Sequence, residues 1–240
     1  MESAVLLTVE EGIALITLNR PTRHNAINRA LMTGLMDSLQ KIANNQKIRV
    51  AIITGNGKSF CSGVDLDALK SENIFSSRND EKEIPDFFAE CKQPIIGAIN
   101  GTAITGGLEI ALNCDFLIAS ERATFADTHA RVGIHPGWGM SQLLQECIGQ
   151  RRAKQMSLSC QFIGAEKALN WGLVNEVVPH EMLMSRALQI AQDICLTNPE
   201  MMGAIKDLIE YRNGSTLKES FRHERRQFKG FLEEVFEPKQ

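Results

Sequence analysis

The stretch NGTAITGGLEIALNCD, residues 100–115, directly follows PIIGAI, residues 94–99. A short continuous apolar run such as PIIGAI is what a parallel sheet buries on both faces. Gly106 and Gly107 then lead into LEIALNC, whose apolar positions suit a short buried helix. Backbone N–H groups at such a helix start have no intrahelical acceptor and carry partial positive charge, so they can hold an oxyanion. Glycine lets a ligand approach the backbone, and Glu109, in the first helical turn, would stand beside whatever those amides bind. An amide pair with a carboxylate suits enolate chemistry next to a carbonyl. The plainer reading is that an acid in a first helical turn is favourable without any function.

Working outward, two more buried-strand runs flank this block, VAIIT at 50–54 and DFLIAS at 115–120, with helical patterns between them. Repeated strand–helix units are the natural reading, hence an α/β fold. The first run is followed by a second glycine-containing turn, KSFCSGVDL, residues 58–66. The opening VLLTVEEGIALITLNRP reads as strand, turn, strand, with the turn at Glu10-Glu11-Gly12 and Pro21 closing the second run. From Ile27 to Ile42, apolar residues at Leu31, Leu35, Leu39 and Ile42 predict an amphipathic helix. Residues 71–86, SENIFSSRNDEKEIPD, are polar without a clear period and are expected to form a mobile loop, a candidate lid. After GLVNEVVP, residues 172–179, the pattern turns helical from about Met182, with breaks at Asn198-Pro199 and Asn213-Gly214. The expected organisation is a core over 1–195 and a helical C-terminal region over 196–240 that makes a subunit contact.

With 240 residues the chain has ample volume for a buried core, and its 43% apolar and 23% charged residues are those of an ordinary globular protein. A net charge of −3 gives no field for nucleic acid, and the densest basic cluster, HERRQFK at 223–229, reads as a solvated helix face. Six cysteines without a C-x-x-C pair or zinc-type His spacing read as reduced, mostly buried thiols of a cytoplasmic protein, with no metal site. The N-terminal apolar run is short and flanked by acids, so no secretory signal is expected, and no apolar stretch approaches a membrane span of about 20 residues.

LNRP with NAI at residues 18–27, SFCSGVDL at 59–66, the 100–115 block, PGWG at 136–139 and GLVNEVVP at 172–179 stand in an order and spacing that resembles the enoyl-CoA hydratase/isomerase (crotonase) family. The likeness runs from about residue 5 to 230. It implies a crotonase-type ββα spiral, usually a homotrimer or a dimer of trimers, that binds acyl-CoA thioesters without a cofactor. The oxyanion-hole donors would be the backbone N–H groups of Val64 and Gly106. The loop at 61–66, with Ser62, Gly63, Asp65 and Leu66, would meet the adenine and pantetheine of CoA. Arg23 would meet a phosphate, or be merely solvated. Gly107 belongs to the same helix start. Thr105 stands where the family pattern has a glycine and would narrow the space beside the oxyanion hole. Trp138 stands where smaller residues are usual and would shorten the acyl pocket or simply fill core.

Glu109 falls on the first of the family's two catalytic carboxylates. The second falls on His129, within FADTHARVGI at 125–134. If 125–129 is extended, Asp127 and His129 point to the same side, and a neutral imidazole can accept a proton from water. His129 is thus an acid/base participant, a pocket wall, or irrelevant. The first of these gives a 2-enoyl-CoA hydratase. The alternatives are a Δ3,Δ2-enoyl-CoA isomerase working with Glu109 alone, and a non-catalytic protein that binds acyl-CoA or a partner.

Overall fold

The β-rich opening folds as a hairpin in the computed structural model, which describes residues 3–72, 74 and 81–236. Strands β1 (Val5–Glu10) and β2 (Ile13–Leu18) pair antiparallel with Glu10 opposite Ile13. Both turn residues have positive φ, Glu11 at 48° and Gly12 at 83°, the two-residue turn whose twist suits a hairpin. Helix α1 (Arg29–Ala43) follows, with the Asn28 side chain accepting from the Leu31 N–H. Leu31, Leu35, Leu39 and Ile42 are all fully buried. Each such side chain contributes about 1.5–3 kcal/mol of burial.

Each following unit sends one strand to a large sheet and one short strand to a second sheet. The pairs are β3 (Val50–Gly55) and β4 (Ser59–Cys61), β5 (Ile95–Ile99) and β6 (Thr102–Ile104), and β7 (Phe116–Ser120) and β8 (Thr124–Ala126). Strands β9 (Ile163–Gly164) and β10 (Glu176–Val178) complete the two sheets, with orders β1-β2-β3-β5-β7-β10 and β4-β6-β8-β9. Neighbours from β2 onward in the large sheet are parallel, as are β4, β6 and β8 in the small one. The helices between are α2 (Leu66–Ser71), α3 (Ile84–Ala89), α4 (Gly106–Leu112), α5 (His129–Val132), α6 (Met140–Ile148), α7 (Gln150–Ser159) and α8 (Ala165–Trp171), with α9 (Leu183–Cys195) after β10. This is the ββα spiral.

The continuous apolar runs are explained by burial on both faces of the large sheet. Ile53, Ile95 and Ile99 join the main core with α1 and the wholly buried α4, while Ile52, Ile96 and Ile118 pack against Leu183, Ala187 and Ala191 of α9. All six cysteines are free, and four of them are buried.

The expected loop over 71–86 is corrected at its C-terminal end. Residues 84–89 are α3, and Ile84, Phe87 and Phe88 are buried in the main core. The helical stripe begins at the loop's last residues and continues past them, so a window closing at 86 cuts it in half. Ile74 is buried as well, and residues 73 and 75–80 lie outside the described residues.

The chain divides between Leu196 and Thr197 into two units. The second holds α10 (Pro199–Tyr211) and α11 (Leu217–Phe236). Its first helix starts as the Asn198-Pro199 break predicts, with the Asn198 side chain accepting from the N–H groups of Glu200 and Met201. Tyr211 stacks on His223 with ring centroids 3.9 Å apart.

Candidate active site

Two backbone segments are pressed together at the start of α4. A Cβ on Gly107 would lie 2.1 Å from the Cys61 carbonyl oxygen, so only glycine lets α4 approach β4 this closely. Gly63 has φ +91°, and a Cβ there would lie 3.6 Å from the Gly106 nitrogen. The segment leading to Val64 therefore runs beside the first amide of α4. On either side of Val64, the Gly63 carbonyl accepts from Ile27 at 2.7 Å and the Asp65 N–H donates to Ile27 at 2.9 Å. Strand-like alternation turns the Val64 N–H away from that partner. The Gly106 N–H, at the first helical residue, has no intrahelical acceptor. Among the described residues neither amide donates to a protein acceptor.

Glu109 is 2% exposed, and its Oε1 accepts from the backbone N–H groups of Trp138 at 2.8 Å and Met140 at 3.3 Å. Burial pushes the Glu109 carboxyl above its ordinary pKa, and those backbone donors and the nearby His129 only partly offset it. The other oxygen, Oε2, lies 3.6 Å from His129 Nε2. His129 Nδ1 in turn sits 2.7 Å from Asp127 Oδ1, which also accepts from the His129 backbone N–H at 3.1 Å. Burial raises the Asp127 pKa, but hydrogen bonds from the His129 ring, Ser157 and the His129 backbone outweigh it and hold the carboxyl below the usual range. A carboxylate accepts only, so Nδ1 carries a proton, and in the neutral form of the ring the Nε2 lone pair faces Glu109.

The condition that 125–129 be extended is not met, and the contact forms by another route. Strand β8 stops at Ala126, and His129 opens the short helix α5. Asp127 reaches His129 through an Asx turn, its side chain accepting from the backbone N–H two residues on. Thr105 also takes an unforeseen place. Its backbone is at φ +52°, and its hydroxyl lies 2.6 Å from the Thr128 hydroxyl and accepts from the Thr128 N–H at 3.1 Å. It fastens the His129 segment to the head of α4 and does not line the cavity.

That cavity, about 420 Å³, is lined by Val64, Glu83, Glu109, His129, Ile134, His135, Gly137 and Trp138. A second cleft of about 360 Å³ is lined by Arg23, His24, Ser62, Val64, Asp65 and Leu66 among others, so the two share Val64. Leu66 is exposed there, and Ser62 donates its N–H to the His24 carbonyl. Asp65 is spent on structure. Its carboxylate, 5% exposed, pairs with Arg20 at 3.0 Å and Arg23 at 3.1 Å and caps α2 through the Asp67 and Ala68 N–H groups. Arg23 also holds Asp67 at 2.7 Å, so its guanidinium is committed to two carboxylates at the cleft edge. Among the described residues no group of three or more His, Cys, Asp or Glu could hold a metal ion, and no helix is long and apolar enough to cross a membrane.

Glu83, His24, Ile134, His135 and Ser157 escaped the sequence reading. Glu83 had a local signal: Glu-x-x-Asp before an apolar run marks a helix start, and its N–H does donate to Asp86 at 2.8 Å. Nothing local says that this helix start faces the cavity.

The enoyl-CoA hydratase/isomerase family model matches residues 8–236. A probable peroxisomal enoyl-CoA hydratase 1 of Arabidopsis thaliana is 42% identical over 198 residues, 82% of this chain and 75% of the relative. A 2,3-dehydroadipyl-CoA hydratase of Escherichia coli (strain K12) is 33% identical over 94% of this chain and 89% of its own length. Among solved structures, an enoyl-CoA hydratase from Mycobacterium tuberculosis H37Rv superposes with TM-score 0.80 at 38% identity, covering 91% of this chain and 94% of that one. Match, fold and paired glycine segments agree: this chain belongs to the enoyl-CoA hydratase/isomerase, or crotonase, family.

Proposed function

We propose that the protein is a 2-enoyl-CoA hydratase in which His129, held by Asp127, takes the place of a second carboxylate. The observation that carries this reading is the buried series Asp127, His129, Glu109, with contacts of 2.7 and 3.6 Å opening onto one cavity. The thioester carbonyl lies against the N–H groups of Val64 and Gly106, which stabilise the oxygen as negative charge develops. A single donor of this kind is worth about 2.7–4 kcal/mol of barrier. CoA extends into the cleft that shares Val64.

Water stands between the imidazole and the acyl C3. His129 Nε2 removes one proton as the water oxygen bonds to C3, and the C2=C3 electron pair moves into the enolate. Glu109, whose pKa burial raises, acts as the acid and delivers a proton to C2. The proton on Nε2 then returns to Glu109 Oε2, which restores both groups. The sum is one water added across C2=C3, with no redox step and no cofactor.

The test follows loss of the conjugated thioester absorbance of crotonyl-CoA with wild type, His129→Ala and Glu109→Gln. General-base work of this kind is worth about 10²–10⁴-fold, so both variants are expected to lose at least about a hundredfold in kcat. Wild type that leaves crotonyl-CoA untouched but converts 3-enoyl-CoA to the conjugated ester would replace this reading with the one-carboxylate isomerase. No turnover of either, with acyl-CoA still bound, would leave a binding protein.

A further inference from the structure

The acyl chain, once its thioester is placed at Gly106, meets a wall. A Cβ on Gly106 would lie 3.3 Å from Trp138 Cζ3 and 3.7 Å from Cε3, so the six-membered ring of the indole stands beside the proposed oxyanion donor. Trp138 is 4% exposed, and a buried indole N–H requires an acceptor. Glu83 supplies it: Trp138 Nε1 donates to Glu83 Oε2 at 3.2 Å. Glu83 is exposed to solvent, but its backbone is fixed: it opens α3, donates its N–H to Asp86, and is followed by the fully buried Ile84. The indole is thus pinned at both ends, by its backbone N–H on Glu109 and its ring N–H on Glu83.

Resting on the hydratase reading above, we propose that the Glu83–Trp138 pair closes the acyl end of the cavity and selects short 2-enoyl groups without a terminal charge. The indole leaves room for only a few carbons beyond those that Glu109 and His129 flank, so a decenoyl chain is shut out by length while a six-carbon chain is judged by the charge at its end. The Glu83 carboxylate on the lining repels an acyl group ending in a carboxylate. His135, on the same lining, turns its Nδ1–H to the Pro136 carbonyl at 2.7 Å, so that donor is not offered to the acyl group.

The experiment measures kcat/KM for crotonyl-CoA, 2-decenoyl-CoA and 2,3-dehydroadipyl-CoA and compares ratios, which cancels any general loss of activity. Wild type is expected to prefer crotonyl-CoA by at least about tenfold over each of the others, the scale on which pocket size discriminates. Glu83→Gln keeps an acceptor for the indole and removes the charge. It should raise the dehydroadipyl-to-crotonyl ratio at least about tenfold and leave the decenoyl-to-crotonyl ratio near its wild-type value. Trp138→Ala should raise the decenoyl-to-crotonyl ratio by a similar factor. If that variant does not fold, Trp138→Phe, which keeps most of the ring and deletes the N–H, should shift the ratio in the same direction. Wild type that processes all three esters equally, or variants with unchanged ratios, would overturn the proposal. Should wild type turn over none of them, the hydratase reading fails on its own. Calorimetric binding of butyryl-, decanoyl- and adipyl-CoA then decides the selectivity, with equal affinities overturning it and a preference for butyryl-CoA sustaining it.

Discussion

Asp127→Asn isolates the part played by the carboxylate behind His129. Asp127 accepts from the His129 ring at 2.7 Å and from the His129 backbone at 3.1 Å. Asparagine has nearly the same shape but no charge. Hydrogen bonds to a charged group contribute about 1.5–3 kcal/mol against about 0.5–1.5 for neutral ones, so the exchange should cost about 1–2 kcal/mol of stability. The kinetic cost should be larger. An amide that turns its NH2 toward Nδ1 drives the ring proton to Nε2 and removes the lone pair that faces Glu109. An amide that keeps its oxygen on Nδ1 leaves a weaker base. General-base catalysis supplies about 10²–10⁴-fold, so kcat for crotonyl-CoA should fall by about a hundredfold. The assays are turnover and urea unfolding of the same preparations. The unfolding comparison carries a sign. The folded-state pKa of Asp127 is depressed, so its contribution is present above the unfolded value of about 3.9 and is lost as pH falls through the folded one. The stability gap between wild type and variant should therefore close in acid. A variant that turns over crotonyl-CoA within about twofold of wild type would refute the assignment of His129 as the base.

Three further outcomes follow from the same geometry. Glu109→Gln should lower kcat by at least about a hundredfold while acyl-CoA binding, read by calorimetry, stays within about threefold, because the oxyanion donors are backbone. Gly107→Ala should destabilise by more than the about 1–3 kcal/mol of ordinary overpacking, since the new Cβ meets the Cys61 carbonyl at 2.1 Å and backbone cannot step aside; urea unfolding measures it, and a cost below 1 kcal/mol would contradict the packing of α4 on β4. Arg20→Met removes one of the two guanidinium partners of the buried Asp65 and should cost about 1–3 kcal/mol at neutral pH. Burial raises the Asp65 pKa, but the hydrogen bonds from Arg23 and Arg20 outweigh it and leave it depressed, so this cost should fade as pH drops below about 3.9. A cost independent of pH would assign it instead to the lost Arg20 hydrogen bond to the Ala26 carbonyl and to packing of the arginine stem.

The sequence by itself determined the repeated strand–helix units, and its resemblance to the crotonase family implied their ββα spiral. Apolar runs at 50–54, 94–99 and 115–120 became neighbouring parallel strands, and the three- and four-residue spacing from Leu31 to Ile42 became the buried face of α1. It also determined that Glu109 stands in the first turn of a glycine-led helix. These features are local: period and glycine placement dictate which face is buried and where backbone can approach backbone, whatever lies further along the chain. Tertiary structure alone decided which side chains meet. Glu83 reaches Trp138 across 55 residues, His129 reaches Glu109 from another unit of the spiral, and the Thr105 hydroxyl meets that of Thr128. Such contacts depend on the separations and rotations of whole elements packed together, quantities that no local pattern of residues encodes. The Asp127–His129 contact lies between these cases. Its residues are two apart, yet the strand-like geometry their alternation suggested gave way to a helical turn once β8 ended at Ala126.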